Sequence, residues 1–510
     1  MPTGSDIMFQ TALAAGIDTC FANPGTTEMA MVASLDRVPG MRAVLTMFEG
    51  VASGAADGYW RASGKPALGL FHLGPGFANA LANNHNARRG FSPVVNLIGD
   101  QTTSHLPYDA PLTSDTEKVA TWAGWHRYVR STNDISADTA AAIEAATTGQ
   151  RGPASLVIPA DVTWEQAPDD ITMPTIGALS PVADDVIAEA AELLRRPGTA
   201  LIVGGAWLTA DMALDATAIA HATGCQLFSY RVPNADVGQG VPRIIEVPYF
   251  PEQAMQALAD VETAVMLGTT EPVTFFGYPD TPSETLPAGS RRFSMGGPEA
   301  DVAAALGALA QTLGAARQPV STPARPDKPT GPLNVDTLGA AVIAGMPDGA
   351  MMVQEGITSA AGLRRYSLSA PTHPSFSPTG GAIGGGLPLA VGAACAQPDR
   401  RVIAFQADGS SMYTIQSLWT MARENLDVTV VLCNNQRYAI LEVELLRAGI
   451  EKPGPKAASL TSLGNPVIDF ATVAKGMGVD ATRATTADEF VAAFDRANAE
   501  PGPHLIEALL

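Results

Sequence analysis

The segment VIAFQADGSSMYTIQSLWTMARENLDVTVVLCNN, from Val402 to Asn435, leaves the fold little freedom. Two short runs rich in β-branched residues, Val402 to Gln406 and Val428 to Cys433, flank a stretch in which Ile415, Leu418, Trp419 and Ala422 recur at helical spacing. The spacing predicts strand, helix over Met412 to Arg423, strand. A helical crossover is the connection that parallel strands need, so both strands should end at the same edge of one sheet. That edge is where open α/β sheets hold their ligands, and it receives Asp408 and Asn435, 27 positions apart.

The same rhythm runs through the chain, as in ALGLFHL, then ANALANNHNARRG, then SPVVNLIGD. The fold class is therefore α/β, with doubly wound parallel sheets. Two proline-rich stretches interrupt it, one around Pro168 to Pro174 and one from Gln318 to Pro332. Clustered prolines continue neither a helix nor a central strand, so both read as linkers. The expected blocks are 1–165, 180–317 and 333–510, in line with about 150 residues per domain. The central block carries TALIVGGAW and TAVMLGTT, two buried strands that each run into glycine, and reads as Rossmann-like. Its Gly204-Gly205 pair is better explained by tight strand-to-helix packing than by a nucleotide.

Charge and cysteine usage narrow the function. A net charge of -20 opposes any role that must neutralise a nucleic-acid backbone. Cys20, Cys225, Cys395 and Cys433 lie far apart without CxxC spacing, which speaks against a disulfide framework or a zinc knuckle. No basic, apolar leader pattern and no run of about 18 apolar residues occurs, so neither membrane nor export is expected. The expected compartment is the cytoplasm.

Asp408 to Asn435 also carries chemistry. Gly409 lets the backbone turn sharply, and Ser410 and Ser411 open the helix, whose free N–H groups suit a phosphate. A carboxylate and an amide oxygen beside that phosphate suit a hard cation, and magnesium commonly takes one or two protein ligands with phosphate oxygens and water. Either dipeptide alone would read as a plain turn; the strand-helix-strand context favours a Mg-diphosphate site.

This arrangement resembles the thiamine diphosphate motif, usually GDGS and, a helix and a strand later, NN. The resemblance implies Mg2+ ligation by the side chains of Asp408 and Asn435 and by the main-chain carbonyl of Arg437. Ala407 replaces the first glycine, a position that is not a ligand. FEGVASGAADGYWRASGKPA is similar to the family segment that carries the proton-relay glutamate, here Glu49; a helix N-terminal acid is the plainer alternative. SPTGGAIGGGLPLAVGAA resembles the segment that cradles the aminopyrimidine ring. That implies an acceptor role for the Gly381 carbonyl and an apolar wedge at Ile383; a glycine-rich packing seam is the alternative. QEGITSA aligns with another cofactor-binding turn and makes Thr358 a diphosphate contact.

The likeness covers essentially the whole chain and is nearest to the benzoylformate decarboxylase and acetolactate synthase-like group. It implies thiamine diphosphate and Mg2+ as cofactors. FAD is not expected, because the short central block shows no flavin-binding residues. His72 aligns with a histidine that contacts substrate, and Thr26, in NPGTTE, with a serine that contacts the substrate carboxylate. The second family histidine is absent, since VTFFGYPD offers Phe275 and Phe276, which puts benzoylformate itself in doubt. His105 could substitute or be an ordinary loop residue, and Ile440 and Leu441 could wall the substrate or be helix core.

A 2-keto acid resists losing CO2 because the electron pair left behind has nowhere to go, and the thiazolium ring supplies that sink. The expected reaction is non-oxidative decarboxylation. The alternatives are acetolactate synthase-type carboligation, an acyl-CoA lyase, which would need Arg195, Arg196, Arg231, Arg243, Arg291 and Arg292 for a nucleotide phosphate, and a degenerate subunit, against which Glu49, Asp408 and Asn435 argue. In this family a first block and a third block from different chains complete a site, so a homodimer at least, and a homotetramer by analogy, is expected.

Overall fold

A computed structural model describes residues 1–510. The chain forms two compact units. One comprises Met1–Thr147, Gly152–Ile176 and Ala324–Leu510, so the first and third blocks share a unit; the other comprises Thr148–Arg151 and Gly177–Pro323.

The first block holds β1 (Thr19–Asn23), β2 (Arg42–Leu45), β3 (Ala67–Phe71), β4 (Val94–Asp100), β5 (Trp125–Tyr128) and β6 (Pro153–Pro159). They pair in the order β2-β1-β3-β4-β6-β5, all parallel. β4 and β6 are buried along their whole length, because helices cover both faces of a parallel sheet. Phe9, Ile17, Leu68, Val95 and Leu156 sit in the core beneath. The register places Ala22 beside Leu45 and Asn23 beside Phe71, so the segments carrying Thr26, Glu49 and His72 all leave the sheet at one edge.

The second unit has β7 (Thr199–Val203), β8 (Gln226–Ser229), β9 (Asn234–Val237), β10 (Ile245–Glu246), β11 (Thr263–Leu267) and β12 (Arg291–Ser294). Five of these pair in parallel as β10-β8-β7-β11-β12. Gly204 lies where β7 ends against Gly268 and Thr269, just past β11, and a Cβ there would stand 2.6 Å from the Thr269 Cβ. A Cβ on Gly205 would stand 3.3 Å from Val302 Cγ2 of the helix Val302–Leu313, so strand-to-helix packing holds for Gly205 only. Arg195, Arg291 and Arg292 are engaged by Glu192, Glu189 and the pair Glu271 and Glu284.

The third block contains β13 (Met351–Glu355), β14 (His373–Phe376), β15 (Val402–Ala407), β16 (Val428–Asn434), β17 (Asp480–Ala484) and β18 (His504–Leu509), paired in parallel as β17-β18-β16-β15-β13-β14. Both strands of the opening segment fall where expected. Its helix does not run unbroken from Met412. A four-residue helical turn, Asp408–Ser411, is followed by a stretch of i to i+3 bonds, and the helix resumes at Ser417–Arg423. Thr414 interrupts it: its hydroxyl donates to the Gly384 carbonyl at 2.8 Å and anchors the chain sideways.

The helix Glu49–Ser63 of the first block lies against the helix Gly386–Ala396 of the third. Contact is close enough that a Cβ on Gly392 would stand 1.9 Å from the Ala55 carbonyl oxygen, and one on Gly58 would stand 2.2 Å from that of Leu389. Part of the glycine-rich pattern is thus a packing seam, between two helices rather than helix and sheet. The buried Arg61–Asp57 ion pair sits at its end, and Arg61 Nη1 donates to the Ser377 carbonyl at 2.7 Å. No helix is long and apolar enough to cross a membrane.

Candidate active site

Because β15 and β16 are parallel neighbours, Asp408 and Asn435 emerge side by side. Asp408 is buried; Oδ1 accepts from Gly409 N at 2.8 Å, and Oδ2 from Asn435 N at 3.1 Å and Gln436 N at 2.7 Å. The loop is held by Gln436 in the left-handed region (φ 58°), and its backbone bonds to Leu463 and Thr461. A non-glycine residue there is strained, as loops at functional edges often are. Asn435 Oδ1 accepts from Arg437 N at 3.1 Å, while the Arg437 side chain points to solvent toward Glu442.

Burial pushes the Asp408 carboxyl above its ordinary range, against the lowering pull of the N–H groups of Gly409, Gln436 and Asn435. A carboxylate removed from water, bonded only to backbone and faced by no basic side chain, retains unsatisfied negative charge that a divalent cation would neutralise. With the Asn435 amide oxygen and the Arg437 carbonyl at the same loop, the donor set is all oxygen and fits Mg2+. Ser410 and Ser411 are buried and spend their hydroxyls inward, on Ala407 O at 3.2 Å and Asp408 O at 2.7 Å. What they can offer a phosphate is backbone N–H. Gly409 is required because a Cβ would stand 2.3 Å from the Tyr438 ring.

Thr358 lies in the 3-10 turn Ile357–Ser359 that leaves β13, on the same sheet edge, after left-handed Ile357 (φ 49°). Gly381 (φ 77°) is exposed and Ile383 is half-buried, in the turn before the helix Gly386–Ala396. The first block grips this turn: Asn86 Nδ2 donates to the Ala382 carbonyl at 2.8 Å, and His85 Nε2 lies 3.0 Å from that of Gly380.

Glu49 begins its helix and is buried, with Oε2 accepting from Asn79 Nδ2 at 3.0 Å. Gly76 is its neighbour: a Cβ there would stand 3.1 Å from Glu49 Oε1 and 3.3 Å from the His72 Cβ. Glu49 and His72 therefore share one corner. His72 Nδ1 lies 2.8 Å from Glu28 Oε2 and 3.2 Å from Thr27 Oγ1. A carboxylate at that distance accepts a hydrogen bond from Nδ1–H and leaves Nε2 for another partner. Neither Glu28 nor Thr27 was singled out from sequence. The signal was Gly25, where a Cβ would stand 2.2 Å from the His72 ring, with Glu28 three residues on. Thr26 is exposed in the turn Thr26–Glu28, and the hydroxyl that reaches His72 belongs to Thr27.

His105 is exposed, its ring 5.8 Å from that of Tyr108. A cavity of about 420 Å3 opens beside the end of β4, lined by Asp100, Leu106, Ser114, Thr116 and Tyr128 among others, and not by His105. Ile440 is half-buried and Leu441 exposed on the helix Ala439–Arg447, directly after the Asn435 loop.

Comparisons with known proteins agree with this geometry. Residues 2–119 match the thiamine pyrophosphate enzyme N-terminal TPP binding domain, and residues 356–508 the C-terminal TPP binding domain. The chain is 44% identical to the Mycobacterium tuberculosis protein named "Putative acetolactate synthase large subunit IlvX", over 99% of both chains. It is 29% identical to benzoylformate decarboxylase of Pseudomonas aeruginosa, over 96% of each. Among solved structures, a thiamine diphosphate-dependent 4-hydroxybenzoylformate decarboxylase of Rhodococcus jostii superposes with a TM-score of 0.85 at 25% identity, covering 100% of this chain and 99% of that one. With its paired parallel sheets, its Asp408–Asn435 loop and these relatives, the chain belongs to the thiamine pyrophosphate enzyme family.

Proposed function

We propose that this protein is a thiamine diphosphate- and Mg2+-dependent enzyme that decarboxylates a 2-keto acid without oxidation. The observation that carries the reading is the meeting of Asp408 and Asn435 at one sheet edge, where a buried carboxylate without a basic partner fits a cation bound to diphosphate. The coenzyme, when bound, supplies the electron sink that lets a 2-keto acid release CO2. Asp408, Asn435 and the Arg437 carbonyl would hold Mg2+; the backbone at Gly409 to Ser411 and Thr358 would hold the diphosphate; Gly381 and Ile383 would seat the pyrimidine ring. Glu49, with Oε2 steadied by Asn79, would hold a proton at Oε1 within reach of that ring. His72, its Nδ1 fixed by Glu28, presents Nε2 to substrate and moves a proton there. Thr26 offers its hydroxyl to a substrate carboxylate, while the Thr27 hydroxyl donates to Glu28, and Ile440 and Leu441 offer an apolar wall.

Carboligation is the second reading, favoured by the name of the 44% identical relative. The protein incubated with thiamine diphosphate, Mg2+ and a panel of 2-keto acids should release CO2 and an aldehyde. A product that joins two carbonyl compounds, formed only when a second carbonyl is added, would favour carboligation. No CO2 from any 2-keto acid by coenzyme-loaded protein would reject both. We propose further that the working form is a homodimer or a homotetramer made of two such dimers, in the cytoplasm.

A further inference from the structure

Glu355 is a carboxylate that none of the roles above uses. It ends β13 and is buried. Its Oε1 accepts from Gly384 N at 2.7 Å and Gly385 N at 3.3 Å, its Oε2 from Gly386 N and from Gln406 Nε2, both at 2.8 Å. Three consecutive backbone N–H groups thus converge on one side chain. Gly386 must be glycine, because a Cβ would stand 2.3 Å from Gln406 Oε1 and 2.9 Å from Glu355 Oε2. Since trans peptides hold N–H and C=O antiparallel, turning these N–H groups inward sends the carbonyls of Ile383, Gly384 and Gly385 away from Glu355. The Gly384 carbonyl is taken by Thr414 Oγ1 and the Gly385 carbonyl by Leu389 N. One acidic side chain therefore dictates the conformation of the turn that follows Gly381 and Ile383.

Resting on the thiamine diphosphate reading, we propose that Glu355 is a positioning residue: its carboxylate fixes the Gly384 to Gly386 turn, and through it Ile383 and Gly381, in the shape that grips the coenzyme's aminopyrimidine ring. Burial pushes the Glu355 carboxyl up, while the four donors that point at it favour the ionised form, to which bonds are roughly twice as strong as to a neutral one. A glutamine amide would set two of its own donors against them.

The test compares Glu355→Gln with wild type for two ligands in excess Mg2+: thiamine diphosphate, which engages both ends of the site, and inorganic diphosphate, which engages only the diphosphate end, Asp408 to Asn435 with Thr358. Tryptophan quenching or calorimetry reads both affinities. Affinity for thiamine diphosphate should fall about 10–100-fold and that for inorganic diphosphate by less than about threefold. Equal loss for both ligands, which a merely structural role would give, overturns the proposal, and so does no loss for either. Should Glu355→Gln not fold, Glu355→Asp, which keeps the charge but draws the carboxylate back from the three glycine N–H groups, is to show the same selectivity at about 3–10-fold. Wild-type protein that binds inorganic diphosphate but no thiamine diphosphate would sink the functional reading itself, whereas normal wild-type binding with an unaffected variant sinks only the role of Glu355.

Discussion

Asp408 and Glu49 are both buried carboxylates, and their surroundings separate their tasks. Three backbone N–H groups pin Asp408, which suits a fixed metal ligand. One side-chain amide touches Glu49, at Oε2, which leaves Oε1 for another partner. Glu49→Gln should therefore keep thiamine diphosphate affinity within a few-fold while kcat falls by about 10²–10⁴, as the loss of a general acid-base group implies. Coenzyme titration and steady-state assays at saturating coenzyme check both halves; undiminished kcat would remove Glu49 from the chemistry. Asp408→Asn should do the opposite and abolish Mg2+-dependent coenzyme binding in calorimetry, leaving the fold intact. Both residues were legible in the sequence because they occupy fixed places in motifs. Glu28 was not, since its meaning lies in a hydrogen bond to a residue 44 positions away that only the β1–β3 pairing creates.

Between elements, the same limit shows in the glycines. The glycine-rich pattern implies close approach but not what approaches: Gly386 meets Glu355 and Gln406 of its own block, and Gly392 a helix from the far end of the chain. Gly392→Ala should cost about 1–3 kcal/mol by overpacking against the Ala55 carbonyl, read as a lowered denaturation midpoint. A second inter-helix tie lies at the N-terminus, where Thr3 and Asp6 form a reciprocal cap on the helix Gly4–Ala14. Asp6 also accepts from Ser34 Oγ at 2.6 Å and Arg37 Nε at 3.0 Å, on the helix Met29–Arg37. Burial alone would raise its pKa, but the bonds from Ser34, Thr3 and Arg37 outweigh that and hold it at about 2. A depressed folded-state value contributes stability above the unfolded-state value, near 4, and loses it as pH falls toward 2. Asp6→Asn should thus be less stable by about 1–2 kcal/mol at pH 7, with the gap closing between about pH 4 and 2. Urea melts across that range check the sign; a gap that widens on acidification would contradict it. The broken helix after Ser411 escaped the sequence for a related reason, because Thr414 is held by Gly384, a contact that spacing alone does not encode.

At the scale of the molecule, strand alternation was enough to foresee three parallel sheets, whereas the sharing of one compact unit by the first and third blocks depends on the helix seam. The helix Ala439–Arg447 buries none of its residues, with Leu441 and Leu446 45% and 60% exposed, and Leu460 on the following helix Pro455–Thr461 is 78% exposed. We propose a second copy of the chain as the cover of this bare helix beside the Asn435 loop. If a dimer places Glu49 of one chain at the Asp408 of the other, two inactive variants can repair each other. Glu49→Gln and Asp408→Asn chains, each inactive alone, should regain about a quarter of wild-type activity when unfolded together in equal amounts and refolded, because half of randomly paired dimers are hybrids with one intact site of two. Sites completed within a single chain would leave every site in the mixture with one lesion and the mixture inactive. Sedimentation of the same samples must show dimers or larger, so that silence from monomers is not mistaken for sites built within one chain.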